Sequence, residues 1–398
     1  MTEQLPLPLD GMLVLDFSQF LAGPMAAMRL GDLGARVIKI ERPQGGDIGR
    51  RLAFAGVVED GDTLSFHITN RNKESYAADL KNEQDRDDIR ALIAKADVIV
   101  QNFRPGIMER LGFGYDAVAD INPGIVYASV SGYGATGPWK DRPGQDLLAQ
   151  SLSGLPWLNG SVDDPPVPVG VALADVIASI HLASGITAAL LRRERTGIGG
   201  RVDTSLLESM LDLQFELLSA HLGDPSITVT RGARNTAHAF LQAPYGVYPT
   251  VDGYLAIAMT SVPELGALIG LDLSRYADPD TWWTEQTEIT RSLAAHLATQ
   301  STAHWLEILD AADVWCAPVM TLPELVTHEG FTALDMAQQT ERLGVDGGEP
   351  VAIQTIRTPV RYDGKVLKHP QGAPRLGEHT AALKAEFARS SKDAEVGA

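Results

Sequence analysis

Met12-Leu-Val-Leu-Asp-Phe17, Ala22-Gly-Pro-Met-Ala-Ala-Met-Arg-Leu-Gly-Asp-Leu33 and Arg36-Val-Ile-Lys-Ile-Glu41 together decide the fold class. The first and third runs are short, apolar and rich in Val, Ile and Leu, which is how strands covered on both faces read. The middle run is helical in composition and opens on Gly23-Pro24, and proline is well tolerated in the first turn of a helix. A strand, a helix and a second strand over residues 12–41 make a βαβ unit. The alternation continues with a helix over 84–95, a strand at Asp97-Val-Ile-Val-Gln101, a short helical stretch near 106–120 and a strand at Ile125-Val-Tyr-Ala-Ser-Val130. Four parallel strands with crossover helices predict an α/β domain with an open, mostly parallel, Rossmann-like sheet. Such sheets bind ligands at the carboxyl ends of their strands. Those ends carry Ser18-Gln19, Arg42-Pro43, Asn102-Phe103-Arg104-Pro105-Gly106 and Ser131-Gly132-Tyr133-Gly134.

Outward from this unit, Asp175 precedes a long apolar helix beginning at Val176, in which Ala178, Ser179, Ala183, Ser184, Gly185, Ala188 and Ala189 favour close packing. A helix N-terminus carries partial positive charge and free N–H groups, so a carboxylate there is expected to stay ionised and held in one direction. That arrangement suits a nucleophile, and it suits a plain helix cap, which residue preference alone favours. Residues 203–222 read as a second long helix, and Gly223-Asp-Pro-Ser breaks it. A polar linker runs to about residue 240. Tyr245-Gly-Val-Tyr-Pro249 and Tyr254-Leu-Ala-Ile-Ala-Met259 then predict a hairpin turning at Asp252-Gly253. Helices near 262–269, 286–299 and 302–312 and a buried strand around Trp315-Cys316 complete a smaller α+β domain. The expected division is 1–222 for the first part of a discontinuous large domain, 223–325 for the small domain, and 326–398 for a return segment. Composition predicts disorder over 389–398.

At 398 residues, 44% hydrophobic and 21% charged, the chain has room for two packed domains. The formal net charge of −18 argues against nucleic acid and anionic membrane as partners, and obliges any anionic substrate to find a local basic patch. The single cysteine, Cys316, excludes an internal disulfide and any multi-thiolate metal site. Residues 1–10 lack the basic start and apolar stretch of a signal peptide, and a cytoplasmic protein is expected.

Several chemistries lack their motifs. The βαβ opening has only Gly23 where a dinucleotide fingerprint needs G-x-G-x-x-G, which weighs against a nicotinamide dehydrogenase. There is no G-x-S-x-G, no phosphate-binding loop and no metal-ligand spacing among the nine histidines. What remains is carboxylates and cations on loops: Arg42, Lys73, Arg104, Arg110, Lys140 and Arg142. Each alone reads as a solvated surface charge, and together they could form a phosphate-binding rim on an acidic protein.

Phe17-Ser-Gln-Phe-Leu-Ala-Gly-Pro24, Leu33-Gly-Ala-Arg-Val-Ile-Lys-Ile-Glu-Arg-Pro43 with Gly46-Asp47, Asn70-Arg-Asn-Lys73, Asn102-Phe-Arg-Pro-Gly106, Leu111-Gly-Phe-Gly-Tyr115, Ala172-Leu-Ala-Asp175, Arg195-Thr-Gly-Ile-Gly199 and Leu376-Gly-Glu-His-Thr380 occur in this order. From about residue 8 to 385 the chain resembles the family III CoA-transferases, relatives of formyl-CoA:oxalate CoA-transferase, carnitine CoA-transferase and the α-methylacyl-CoA racemases. The resemblance implies an interlocked homodimer, coenzyme A and acyl-CoA as substrates with no prosthetic group or metal, and Asp175 as the catalytic aspartate. It further implies coenzyme A contacts at Phe20, Arg42, Lys73, Asn102, Phe103, Arg104, Arg110 and Gln145.

Racemases of the family resemble this chain with a histidine where it has Pro143-Gly-Gln-Asp146. Gln145 has no proton to exchange near neutral pH, so the expected reaction is transfer of CoA from an acyl-CoA to a small carboxylic acid. An acyl-CoA racemase or epimerase and a non-catalytic CoA-binding protein are the alternatives. The glycine run used as a lid by formyl-CoA transferases is absent between Thr230 and Tyr245, which argues against oxalate as acceptor. Arg231 and Arg234 in that stretch are candidates to meet a carboxylate on the acyl group.

Overall fold

The computed structural model describes residues 5–52, 54–344 and 348–395. The chain divides into two compact units. One runs to Ala149, resumes over Ala172–Met210 and again from Thr332; the other takes Gln150–Val171 and Leu211–Phe331. Residues 150–171 and 211–222, read from sequence as part of the large domain, thus lie in the second unit.

The first unit is built on six parallel strands: β1 (Leu13–Asp16), β2 (Arg36–Glu41), β3 (Glu74–Ala77), β4 (Val98–Gln101), β5 (Val126–Ser131) and β6 (Gly200–Ser205). Their order is β3-β2-β1-β4-β5-β6, the doubly wound arrangement whose strand order reverses between β1 and β4. The four expected strands are all present. The two unexpected ones are the edges, and both are polar for that reason. In β3 the Ser75 amide donates to His379 Nδ1 and its hydroxyl to Glu41 Oε1. In β6 one face is exposed at Arg201 and Asp203. Residues 203–205 therefore belong to a strand. The helix expected over 203–222 starts at Leu206 and is broken at Gln214, giving Leu206–Leu213 and Phe215–Gly223.

Helices cover both faces. On one side α1 (Ala22–Asp32) packs against the long crossover helix α2 (Leu173–Thr196), which also lies on β5 and β6. Close approach needs the small residues: a Cβ on Gly185 would stand 2.6 Å from Val202 Cγ1. By length and composition α2 is apolar enough to cross a membrane, with a window of mean hydropathy 1.6, yet it is the packed crossover of this sheet. On the other side Leu15, Ile38, Tyr76, Ile99, Phe113 and Tyr127 form a core with Leu383 of the last helix, Thr380–Glu395. That helix continues through most of the stretch expected to be disordered, and residues 396–398 lie outside the described residues.

The second unit contains an antiparallel sheet of Gly246–Pro249, Tyr254–Ile257 and Cys316–Pro318, the first two being the expected hairpin. Helices Val262–Ile269, Gln286–Leu297 and Thr302–Ala311 pack on it around Leu255, Leu265, Leu293 and Trp305. The Cys316 strand is only partly buried, contrary to expectation. Burial and the neighbouring Asp310 push its thiol up to about 11, so it is a poor nucleophile.

Candidate active site

The site forms where β1 and β4 part. Asn102, just past β4, bridges back to the loop after β1: its Oδ1 accepts from the Gln19 amide at 2.8 Å and its Nδ2 donates to Gln19 O at 2.7 Å. The loop then bends sharply at Phe20, whose φ is +66° and whose ring is 50% exposed. Leu21, at the cap position of α1, offers no side-chain cap to the amides of the first turn.

Asp175 is aimed at that helix start, with its carboxylate accepting from the Ala22 N–H. Within its own helix it is not a cap. Ala172 is the cap residue and Asp175 lies in the first turn of α2. The capping is done by Asp146, whose Oδ1 accepts from the Ala174 amide at 2.6 Å and the Asp175 amide at 3.1 Å. The helix-cap reading of Asp175 is thereby corrected, and so is the expectation that the α2 terminus keeps it ionised. It does not cap α2, and the expected stabilisation of its anion by the α2 terminus goes to Asp146. Burial, followed by the negative charge of Asp146, instead pushes the Asp175 carboxyl up to about 7, with the Ala22 N–H opposing.

Asp146 reaches this position through two glycines. Gly132 after β5 and Gly144 are in direct backbone contact: a Cβ on Gly144 would stand 2.5 Å from Gly132 Cα. Gly144→Val should therefore displace the 142–146 loop. The expected result is a loss of about 1–3 kcal/mol in urea denaturation, the range for overpacking, together with a fall in turnover. Gln145 is exposed beside it, and its carbonyl accepts from the Leu148 and Ala149 amides. The Gly134 amide donates to Ser131 Oγ at 2.9 Å, which weakens its case as an oxyanion donor.

The cations divide into two groups. Arg42, Arg104, Arg110, Lys140 and Arg142 are exposed, and Arg42 Nε donates to Gly46 O at 3.0 Å. Phe103 is partly buried against the core. A cavity of about 150 Å³ at the ends of β4, β5 and β6 is lined by Phe103, Arg104, Ser131, Arg201 and Glu208, among others. Lys73 corrects the expectation of a solvated rim charge. Its side chain is fully buried, and Nζ donates to Asp16 Oδ2 at 2.8 Å, Pro24 O at 2.9 Å and Asn70 Oδ1 at 2.9 Å. Burial pulls its ammonium down to about 8, opposed by Asp16 and assisted by Lys39. Through Pro24 O it braces the start of α1. In the second unit Arg231 is also spent, on the carbonyls of Asn159, Asp164 and Pro165, so it is not poised to bind a carboxylate; Arg234 is exposed.

The sequence reading missed Asp146, Asp16, Lys39 and Asp47. The adjacency of Gln145-Asp146 to an apolar helical run was the available signal for the first. Of the other three, Asp16 ends β1, Lys39 lies within β2 and Asp47 caps the turn Ile48–Arg50, and they become significant only when these segments come together.

The class is a doubly wound α/β protein with a carboxyl, Asp175, near the strand-order reversal and exposed arginines after the strand ends. The chain belongs to CoA-transferase family III, whose model matches residues 9–380, and is by that membership a CoA-transferase. It is 34% identical to the acetyl-CoA:oxalate CoA-transferase of Acetobacter aceti over 98% of this chain and 99% of that one. It is 31% identical to the succinate–glutarate CoA-transferase of Agrobacterium fabrum over 96% of both. A CAIB/BAIF family protein from Brucella suis superimposes with a TM-score of 0.82 at 30% identity, covering 96% of this chain and 100% of that one.

Proposed function

We propose that the chain moves CoA between an acyl-CoA and a dicarboxylic acid by a ping-pong route through Asp175. The carrying observation is the Asp175 carboxylate, raised to about 7 beside Asp146 and pointed at the open N-terminus of α1. A raised pKa makes the carboxylate a better nucleophile, and with its pKa near 7 about half of the groups are ionised at neutral pH. Asp175 attacks the donor thioester carbonyl, giving an aspartyl–acyl anhydride and CoA thiolate. The thiolate attacks the aspartyl carbonyl, releasing the donor acid and leaving an aspartyl-CoA thioester. The acceptor carboxylate then attacks that thioester, and the released thiolate takes the acceptor's acyl carbon, regenerating Asp175. The α1 amides supply fixed dipoles near the reacting oxygens. Holding carboxylate and thioester together contributes up to about 7–11 kcal/mol in favourable intramolecular cases.

Phe20, Asn102, Phe103 and Gln145 form the surface for the pantetheine and base, and Arg42, Arg104 and Arg110 meet the phosphates. Lys73 contributes through the α1 start. The dicarboxylic acceptor class is supported by the relatives named for oxalate and for succinate and glutarate. An interlocked homodimer fits the exposed stripe of Ile180, Ala188 and Leu191 along α2, a face that a second copy would cover.

Two measurements test this reading. Acetyl-CoA and succinyl-CoA crossed with oxalate, succinate, glutarate and a monocarboxylate series, followed by mass spectrometry, should yield a dicarboxylyl-CoA. Exchange with monocarboxylates alone would refute the substrate class. Arg42→Gln should raise KM for the acyl-CoA about tenfold, the worth of one charge-assisted phosphate contact, and leave KM for the acid unchanged.

A further inference from the structure

The Gly46-Asp47 pair has no part in the chemistry above, yet Asp47 is buried directly behind the most strained residue of the site. Phe20 holds a left-handed backbone with its ring half in solvent, a conformation that a bulky side chain adopts only when its surroundings impose it. Asp47 Oδ1 accepts from the Phe20 amide at 3.2 Å and from the Gly49 amide at 2.8 Å. Its other oxygen pairs with Lys39 Nζ at 2.9 Å, and the same Nζ donates to Ser18 O at 2.8 Å. Lys39 and Asp47 are both almost completely buried. The Asp47 amide in turn donates to Glu41 Oε2 at 3.0 Å, and Glu41 is held by Arg50 at 2.7 Å. The loop is thus gripped on both sides of Gln19, at the Ser18 carbonyl and the Phe20 amide, by one buried ion pair.

We infer that Asp47, backed by Lys39, is a positioning residue that presents the Phe20 ring to the acyl-CoA. This rests on the assignment of Phe20 to the coenzyme A surface. A buried ion pair is a costly way to add stability, since removing two charges from water offsets much of their attraction. Its value here is geometric, because it fixes a turn that the chain would otherwise relax.

A double-mutant cycle separates positioning from simple stabilisation. Phe20→Gly removes the ring at a residue type that adopts positive φ freely, and should raise KM for acyl-CoA about tenfold, the worth of one aromatic contact, with KM for the acid unchanged. Asp47→Ala should produce the same split. In the Phe20→Gly background it should add less than about twofold, because the ring it positions is already gone. Asp47→Asn keeps the acceptor for the Phe20 amide but loses the Lys39 ion pair, and should fall between the wild type and Asp47→Ala. If Asp47→Ala does not fold, Asp47→Ser, too short to reach the amide, replaces it in the cycle.

Multiplicative losses in the double variant, or an Asp47→Asn variant as impaired as Asp47→Ala, overturn the positioning role while leaving the transferase reading intact. A Phe20→Gly enzyme with unchanged KM for acyl-CoA removes Phe20 from the coenzyme surface and the inference with it. Absence of any CoA transfer by the wild-type protein is the separate result that defeats the functional reading.

Discussion

Asp175→Asn is expected to cut CoA transfer by about 10⁵-fold, the scale on which enzymes lose turnover when a covalent nucleophile is removed, while making the folded protein more stable at alkaline pH. Both effects come from one carboxyl group. In the folded chain its pKa stands at about 7 against an ordinary value of 3.8. Between those two values the folded state holds a proton that the unfolded state has released. Folded stability therefore falls as pH rises through this window and stays low above it. At roughly 1.4 kcal/mol per pKa unit the ceiling is about 4 kcal/mol, and partial exposure of the side chain brings the expected cost to about 2–4 kcal/mol. Asparagine carries no charge to desolvate. Urea midpoints at pH 8 should favour the variant, and the two proteins should converge near pH 4. Equal stability at both pH values would show that Asp175 is not held against its own ionisation.

Asp146→Asn is expected to act on the pH profile more than on the fold. An asparagine Oδ1 can still accept from the Ala174 and Asp175 amides, so the α2 cap is retained. The negative charge beside Asp175 is lost. For the wild type, kcat/KM should fall as pH drops through about 7, because the protonated carboxyl is not a nucleophile. In Asp146→Asn this acid limb should move to lower pH by about one pH unit, as expected for removal of one nearby like charge. The variant should then be more active than the wild type at pH 5.5 relative to each enzyme's own plateau. Asp146→Ala loses the cap as well and should cost about 1 kcal/mol of stability in addition. An unmoved limb in Asp146→Asn would mean that burial alone sets the Asp175 pKa.

The parts of the fold visible in the sequence were those where burial is uniform. β1, β2, β4 and β5 are covered on both faces and read as mainly apolar runs, interrupted in β2 by the buried Lys39 and in β5 by Ser129. β3 and β6 are sheet edges, where Glu74, Ser75, Arg201 and Asp203 satisfy polar partners or solvent, so their composition says loop or helix cap. At the site, Asp175 and the exposed arginines came to notice through the motifs that carry the family resemblance, since residue type alone favoured a helix cap and solvated surface charges. Lys73 was legible as a residue and wrongly read as surface, since nothing local announces that Asp16, Asn70 and Pro24 will enclose it. Asp146 was passed over because its role depends on a contact between Gly132 and Gly144 across a dozen residues. The ionisation of Asp175 was misjudged for the same reason. One helix terminus was assigned to one carboxylate, and the structure gives it to another.

CoA transfer by this route requires a covalent bond to form at Asp175. The most direct measurement is to mix the protein with acyl-CoA alone, quench in acid, digest, and determine the mass and site of any adduct. A coenzyme A thioester on the peptide containing Asp175, lost on adding the acceptor acid, is the predicted result. An unmodified Asp175 peptide during active turnover, with CoA appearing on another residue or on none, would contradict it.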